Sequence, residues 1–188
     1  LGSADRAPAT AEIVAAPDGG REARFAWNAI DLEGEPGALS VRVQVVLPPN
    51  RGLATWRLWV DNRSGQWGLW QVDFPVFGGL LAAGQYDVAF PHRNWGKRFA
   101  ACSARLTGDY PTGWSMPMQF CAAWRQDSGV YLAAHDPGAW KKTFTLEPGQ
   151  ESSVRTFAED MGVPGSSFQA PFPVVAGVFR GGWLEAAG

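Results

Sequence analysis

The sequence has little of what most small-molecule chemistry needs. It contains two cysteines, Cys102 and Cys121, two histidines, His92 and His135, and three methionines in 188 residues. Two cysteines can pair once, but they cannot build a disulfide scaffold. Cys121 lies in an apolar run and reads as a small buried hydrophobe. No Cys/His spacing resembles a zinc site. Charge of one sign is also missing: 16 Lys+Arg against 18 Asp+Glu leave a net charge of −2. Such a chain has no electrostatic footprint for nucleic acid. No apolar run is long enough for a membrane-spanning helix. No Gly-x-Ser-x-Gly elbow and no phosphate-binding glycine loop occur. No cofactor and no metal site are therefore expected.

What is abundant is equally informative. Ten Trp, 23 Gly and 14 Pro stand in a chain that is 46% hydrophobic. Gly and Pro spread along the whole length interrupt long helices, which excludes a helical bundle. Aromatic-rich segments between turn residues predict many short strands. Leu39–Leu47 alternates, with Leu39, Val41, Val43, Val45 and Leu47 on one face. In Leu53–Asp61, Trp56, Leu58 and Val60 share a face, with Arg57 and Trp59 opposite. Further strands are predicted at Ala11–Ala16, Glu22–Ile30, Trp67–Phe77, Gln85–Phe90, Met118–Arg125, Val130–His135, Lys142–Glu147, Ser153–Glu159 and Phe172–Phe179. Gln126-Asp127-Ser128-Gly129 predicts a hairpin turn, and Gly78 to Pro117 reads as mostly irregular. No helical segment separates the strands, so a parallel α/β sheet is disfavoured. The expectation is an all-β antiparallel sandwich of about ten strands, with at most one or two short helices, forming a single domain over 1–188.

Four segments, read in order, resemble a known context. They are Trp56-Arg57-Leu58-Trp59-Val60-Asp61-Asn62-Arg63-Ser64 running on through Leu69-Trp70 to Phe74-Pro75; Tyr110-Pro111 followed by Met118-Gln119-Phe120; Gly129-Val130-Tyr131-Leu132-Ala133-Ala134-His135-Asp136-Pro137 with Lys141 and Lys142 nearby; and Pro173-Val174-Val175-Ala176-Gly177-Val178-Phe179-Arg180-Gly181-Gly182-Trp183-Leu184-Glu185-Ala186-Ala187. Over roughly residues 53–188 the chain resembles the N-terminal, galactose mutarotase-like β-supersandwich domain of large (β/α)8-barrel glycoside hydrolases. The resemblance implies a non-catalytic domain that supports or lines the cleft of a barrel, with residues 181–188 opening the linker or helix into it. It also implies that this chain is a fragment. The catalytic carboxylates of such enzymes lie on the barrel, so no catalytic residue is expected here. The partners implied are that missing catalytic domain and a poly- or oligosaccharide. Leu1-Gly2-Ser3 reads as a cloning scar or a cut within a longer chain. The expected location is secreted or periplasmic.

Two other readings compete. One is a free-standing carbohydrate-binding module; the other is a mutarotase-like isomerase using His92, His135 and a carboxylate as acid and base. Glycoside hydrolysis needs two carboxyl groups about 5–10 Å apart, and no convincing pair emerges from Asp109, Asp127, Asp136, Glu147, Glu159 and Asp160. For ligand contact, the candidates are Arg93, Trp95, Trp114, His135 and Asp136. Sugars stack their C–H faces on flat rings and bond through hydroxyls to charged and amide side chains. Trp95 lies in a polar, irregular segment beside Arg93. Trp114 lies in another, and His135-Asp136 ends a strand. Turn chemistry is the competing reading of Asp136, and packing between sheets or against a barrel is that of Trp95 and Trp114.

Overall fold

The structure, a computed structural model, describes residues 7–16, 18–90, 97–112 and 114–182. Among them no helix occurs, as the spread of Gly and Pro predicts, and the strands pair antiparallel, as the lack of helical segments between them predicts. The chain clusters into two compact units. Unit 1 comprises Leu1–Arg51, Thr55–Val72 and Phe157–Ala170. Unit 2 comprises Gly52–Ala54, Asp73–Thr156 and Pro171–Gly188.

Unit 1 carries β1 (Thr10–Ala15), β2 (Arg21–Leu32), β3 (Glu35–Leu47) and most of β4 (Leu53–Asn62), hydrogen-bonded in that order. The two-residue strand β13 (Phe168–Gln169) pairs with β4, Phe168 opposite Val60 and Gln169 opposite Trp59. Register fixes the two faces. Phe25 lies opposite Val43 and Trp27 opposite Val41, while Val43 faces Leu58 and Val41 faces Val60. Because side chains alternate, these apolar residues share one face, and Val43, Leu58, Val60 and Phe168 are buried on it. The other face holds Glu22, Arg24, Gln44, Arg42, Ser40, Asp61 and one indole, Trp59. The turn after β4 is built by its own side chains. The Asn62 amide donates to Trp67 O at 2.8 Å, and Ser64 Oγ accepts from Trp67 N at 2.7 Å.

Unit 2 is a two-sheet sandwich. One sheet runs β14 (Val174–Arg180), β10 (Ser128–Ala134), β9 (Phe120–Arg125), β6 (Tyr86–Phe90), β7 (Lys97–Cys102). The other runs β5 (Gln71–Gly78), β12 (Glu151–Phe157), β11 (Lys142–Leu146), β8 (Leu106–Tyr110), with the first two residues of β5 and the last of β12 in unit 1. Val88, Phe90, Cys121, Leu132 and Val174 share one face of the first sheet, and Phe144, Leu146 and Val154 supply the second sheet's buried side chains. The sheets approach closely where β8 has no side chain: a Cβ on Gly108 would lie 2.8 Å from Phe90 Cε1. The outer face of β9–β10–β14 is also buried: its Ala122, Tyr131, Ala133 and Val175 form a core cluster, with Phe120 and Phe179 packed against it. That double burial explains why β9 and β10 read as continuous apolar runs rather than alternating ones.

The irregular middle is the main correction to the sequence reading. Gly78–Pro117 holds not one strand but three, β6, β7 and β8. Phe-Ala-Ala-Cys in β7 and Leu-Thr-Gly-Asp-Tyr in β8 carry no clear alternation; partner strands hold them in register. The strand predicted from Trp67 begins only at Gln71, because Gly68 forms an isolated bridge to Pro164 instead. The stretch expected to open a helix after Gly181 lies almost wholly outside the described residues. Cys102 and Cys121 are both free thiols.

Candidate functional site

The predicted polar turn after β10 is held by one carboxylate. Ala134 N donates to Gln119 O at 2.9 Å and His135 N to Pro173 O at 3.1 Å, which fixes the backbone where the strand ends. Asp136 then turns inward. Its Oδ1 accepts from Gly138 N at 2.8 Å, and its Oδ2 accepts from Trp140 N at 2.6 Å. The same Oδ2 meets Lys142 Nζ at 2.5 Å, and both side chains are sealed from water. Lys142 also donates to Gln119 Oε1 at 3.1 Å. Its Nζ lies 4.2 Å from the Phe172 ring centroid and 4.6 Å from that of Tyr110. Burial pulls the Lys142 ammonium below its usual basicity, and the bond to Asp136 opposes that.

This arrangement defines what the turn can do. The Asp136 carboxylate is occupied by two backbone N–H groups and an ammonium, so it positions the loop rather than offering lone pairs to a solute. His135, beside it, is exposed. Trp114 stands on a different turn. Ser115 N donates to Thr112 Oγ1 at 2.9 Å, Asp109 N donates to Ser115 Oγ at 2.8 Å, and Met116 is inserted into the core. That anchor leaves the Trp114 side chain outside, 80% exposed. Arg93, Trp95 and His92 lie outside the described residues. Among the described residues, no group of three or more His, Cys, Asp or Glu is placed to hold a metal ion.

A second polar surface, not singled out from sequence, lies on unit 1. A shallow groove of about 500 Å³ runs over the polar face of β2–β4 and β13, lined by Asn28, Arg42, Trp59, Asp61, Arg63 and Gln169 among others. The only sequence signal was Trp59, which alternation placed opposite Trp56. Asp61 follows it at i+2 on the same strand, but Arg42 and Gln169 come from β3 and β13, so only pairing completes the set.

No family model matches this chain, and no curated protein does. Solved structures do. A GH36 alpha-galactosidase, AgaA of Geobacillus stearothermophilus, solved with raffinose, aligns with a TM-score of 0.57 at 14% identity, over 93% of this chain and 28% of that one. A second structure of that enzyme, solved with stachyose, aligns at 0.52 and 16% identity, over 87% and 24%. The alpha-galactosidase of Lactobacillus brevis aligns at 0.54 and 12% identity, over 97% of this chain and 26% of that one. This chain thus spans about a quarter of the length of the enzymes it resembles, and its fold is that of a part of them. That agrees with the fold implied by the four sequence segments.

Proposed function

We propose that this chain is the non-catalytic β-sandwich domain of a glycoside hydrolase, supporting the catalytic domain and lining its cleft. One observation carries the reading: nearly the whole chain aligns with only about a quarter of enzymes named as alpha-galactosidases. The substrate class it suggests is an α-galactoside. Contact with the sugar or the catalytic domain is assigned to Trp114 and His135 and, by residue type, to Arg93 and Trp95, while Asp136 is assigned to holding the turn that bears His135 in shape. Residues 181–188 are assigned to the connection.

The test is turnover of an aryl α-galactoside by two proteins: the 188-residue chain, and the product of the whole reading frame that contains it. The chain alone is expected to release no nitrophenol, the longer protein to release it, and deletion of residues 1–188 from the longer protein to abolish or strongly reduce that activity. Turnover by the 188-residue chain that vanishes on changing one of its carboxylates would overturn the non-catalytic assignment. A longer protein without glycosidase activity would overturn the parent.

A further inference from the structure

The groove on unit 1 is lined by charged side chains that are already held in place. Arg42 and Trp59 are direct cross-strand partners, and the Arg42 guanidinium carbon lies 6.0 Å from the Trp59 ring centroid. Gln169 is paired with Trp59 from the other side. At the end of β4, Arg63 Nε lies 3.0 Å from Asp61 Oδ2. Arg63 Nη2 donates to Ser40 Oγ at 3.3 Å, and Ser167 Oγ donates to Asp61 Oδ1 at 3.3 Å. The charged groups are thus held from β3, from the segment before β13 and from each other before any solute arrives. Each still has capacity to spare. Asp61 is about half exposed, and the Arg63 guanidinium more than half.

We infer that this groove binds a neutral oligosaccharide. The Trp59 indole takes the C–H face of one pyranose ring, and Arg42, Asp61, Arg63 and Gln169 bond to hydroxyls around it. A half-buried indole flanked on its face by Arg42, Asp61 and Gln169 suits a ligand with one apolar face and a polar rim, which describes a sugar. Hydroxyls both donate and accept, so they satisfy guanidinium, carboxylate and amide together. A phosphate or sulfate ligand would meet the Asp61 carboxylate, and an organic cation would meet two guanidiniums. A protein partner would want a broader apolar centre than one indole. The inference rests on the carbohydrate reading above only for the class of ligand; the residues follow from the geometry.

The experiment is isothermal titration of the 188-residue chain with stachyose, a linear β-glucan oligomer, a mannan oligomer and an oligogalacturonate. At least one neutral probe is expected to bind, with a dissociation constant of roughly 10 μM to 1 mM, the range for one stacked ring and a few hydrogen bonds. Trp59→Ala is expected to weaken binding at least about tenfold, and Arg42→Gln about three- to tenfold. The exposed Trp70→Ala is expected to leave it unchanged. Arg42→Gln and Asp61→Asn are surface changes that keep the sheet, so they remain informative if Trp59→Ala does not fold. Unchanged affinity in Trp59→Ala and Arg42→Gln would overturn the site, as would loss of binding in Trp114→Ala alone. A preference for the oligogalacturonate would overturn the neutral assignment. Failure of every neutral probe to bind the chain would overturn the inference, while the role proposed for the domain, which stands on turnover by the longer protein, would be untouched.

Discussion

The ammonium of Lys142 and the carboxylate of Asp136 meet at 2.5 Å with neither side chain open to water. Lys142 begins β11 and Asp136 follows β10, so this pair ties two strands from the two sheets of unit 2. A buried pair is weak evidence for net stability, but breaking one leaves a charge stranded.

Asp136→Ala is therefore expected to destabilise the chain by about 3–5 kcal/mol, read as a lower urea midpoint with an unchanged slope. It removes the acceptor of Gly138 N and Trp140 N as well as the counter-ion of Lys142. Lys142→Met keeps most of the volume and leaves the carboxylate with its two N–H donors, so its cost is expected to be smaller. A wild-type midpoint for Asp136→Ala would show that the turn does not depend on the pair.

Gly177 in β14 has no room for a side chain. A Cβ there would lie 1.9 Å from Gly52 O, a backbone atom that cannot rotate away. Gly177→Ala is expected to cost at least the ~1–3 kcal/mol of an overpacked site. Gly78→Ala, at the end of β5 with open space around its Cβ position, is the matched control and should leave the midpoint almost unmoved. Equal melting curves for the two variants would contradict the close approach.

Acid should weaken the fold through two paired carboxylates, Glu22, largely shielded from water, and the partly exposed Asp87. Arg24, and then Gln44, hold the Glu22 carboxyl below its ordinary 4.5. Arg98, and then the Ala101 N–H, hold that of Asp87 below 3.8. A carboxylate with a lowered folded value binds protons more readily when unfolded. Its contribution is thus complete above the ordinary value and is lost as pH falls through the lowered one. Glu22→Gln and Asp87→Asn should each flatten the decline in the urea midpoint below pH 4.5, and high salt should shrink the difference. An identical acid slope in the variants would remove these pairs from the account.

Cys121 is fully buried, and desolvation pushes its thiol pKa up. It should therefore stay unreactive towards a thiol reagent until the chain unfolds. Cys102, partly exposed at the end of β7, should react in the folded protein. Rapid titration of two thiols under native conditions would place Cys121 outside the core.

The strands β1 to β4 and the hairpin of β9 and β10 were legible in the residues. Leu39–Leu47 alternates because one of its faces meets apolar neighbours and the other does not. Gln126 sits in the left-handed region at φ 59° where the hairpin turn was predicted. β7 and β8 were not legible. Their order comes from partners, and Ala, Gly and Cys give no period to read.

The site divides the same way. Local chemistry marked the His135–Asp136 turn, since Asp before Pro-Gly is a turn signal. Nothing local revealed that its carboxylate faces inward. Lys142 lies six residues on, and only the packing of β11 under Phe172 and beside Tyr110 makes it the counter-ion. Likewise the sequence by itself determined that Trp59 leaves the apolar face of β4, because side chains alternate whatever the strand pairs with. That Arg42 and Gln169 flank it, and that Asp61 and Arg63 are held by Ser167 and Ser40, was decided by the pairing of β3, β4 and β13. Alternation is a property of one strand, whereas register is a property of two, and a groove on a sheet exists only once the register is set.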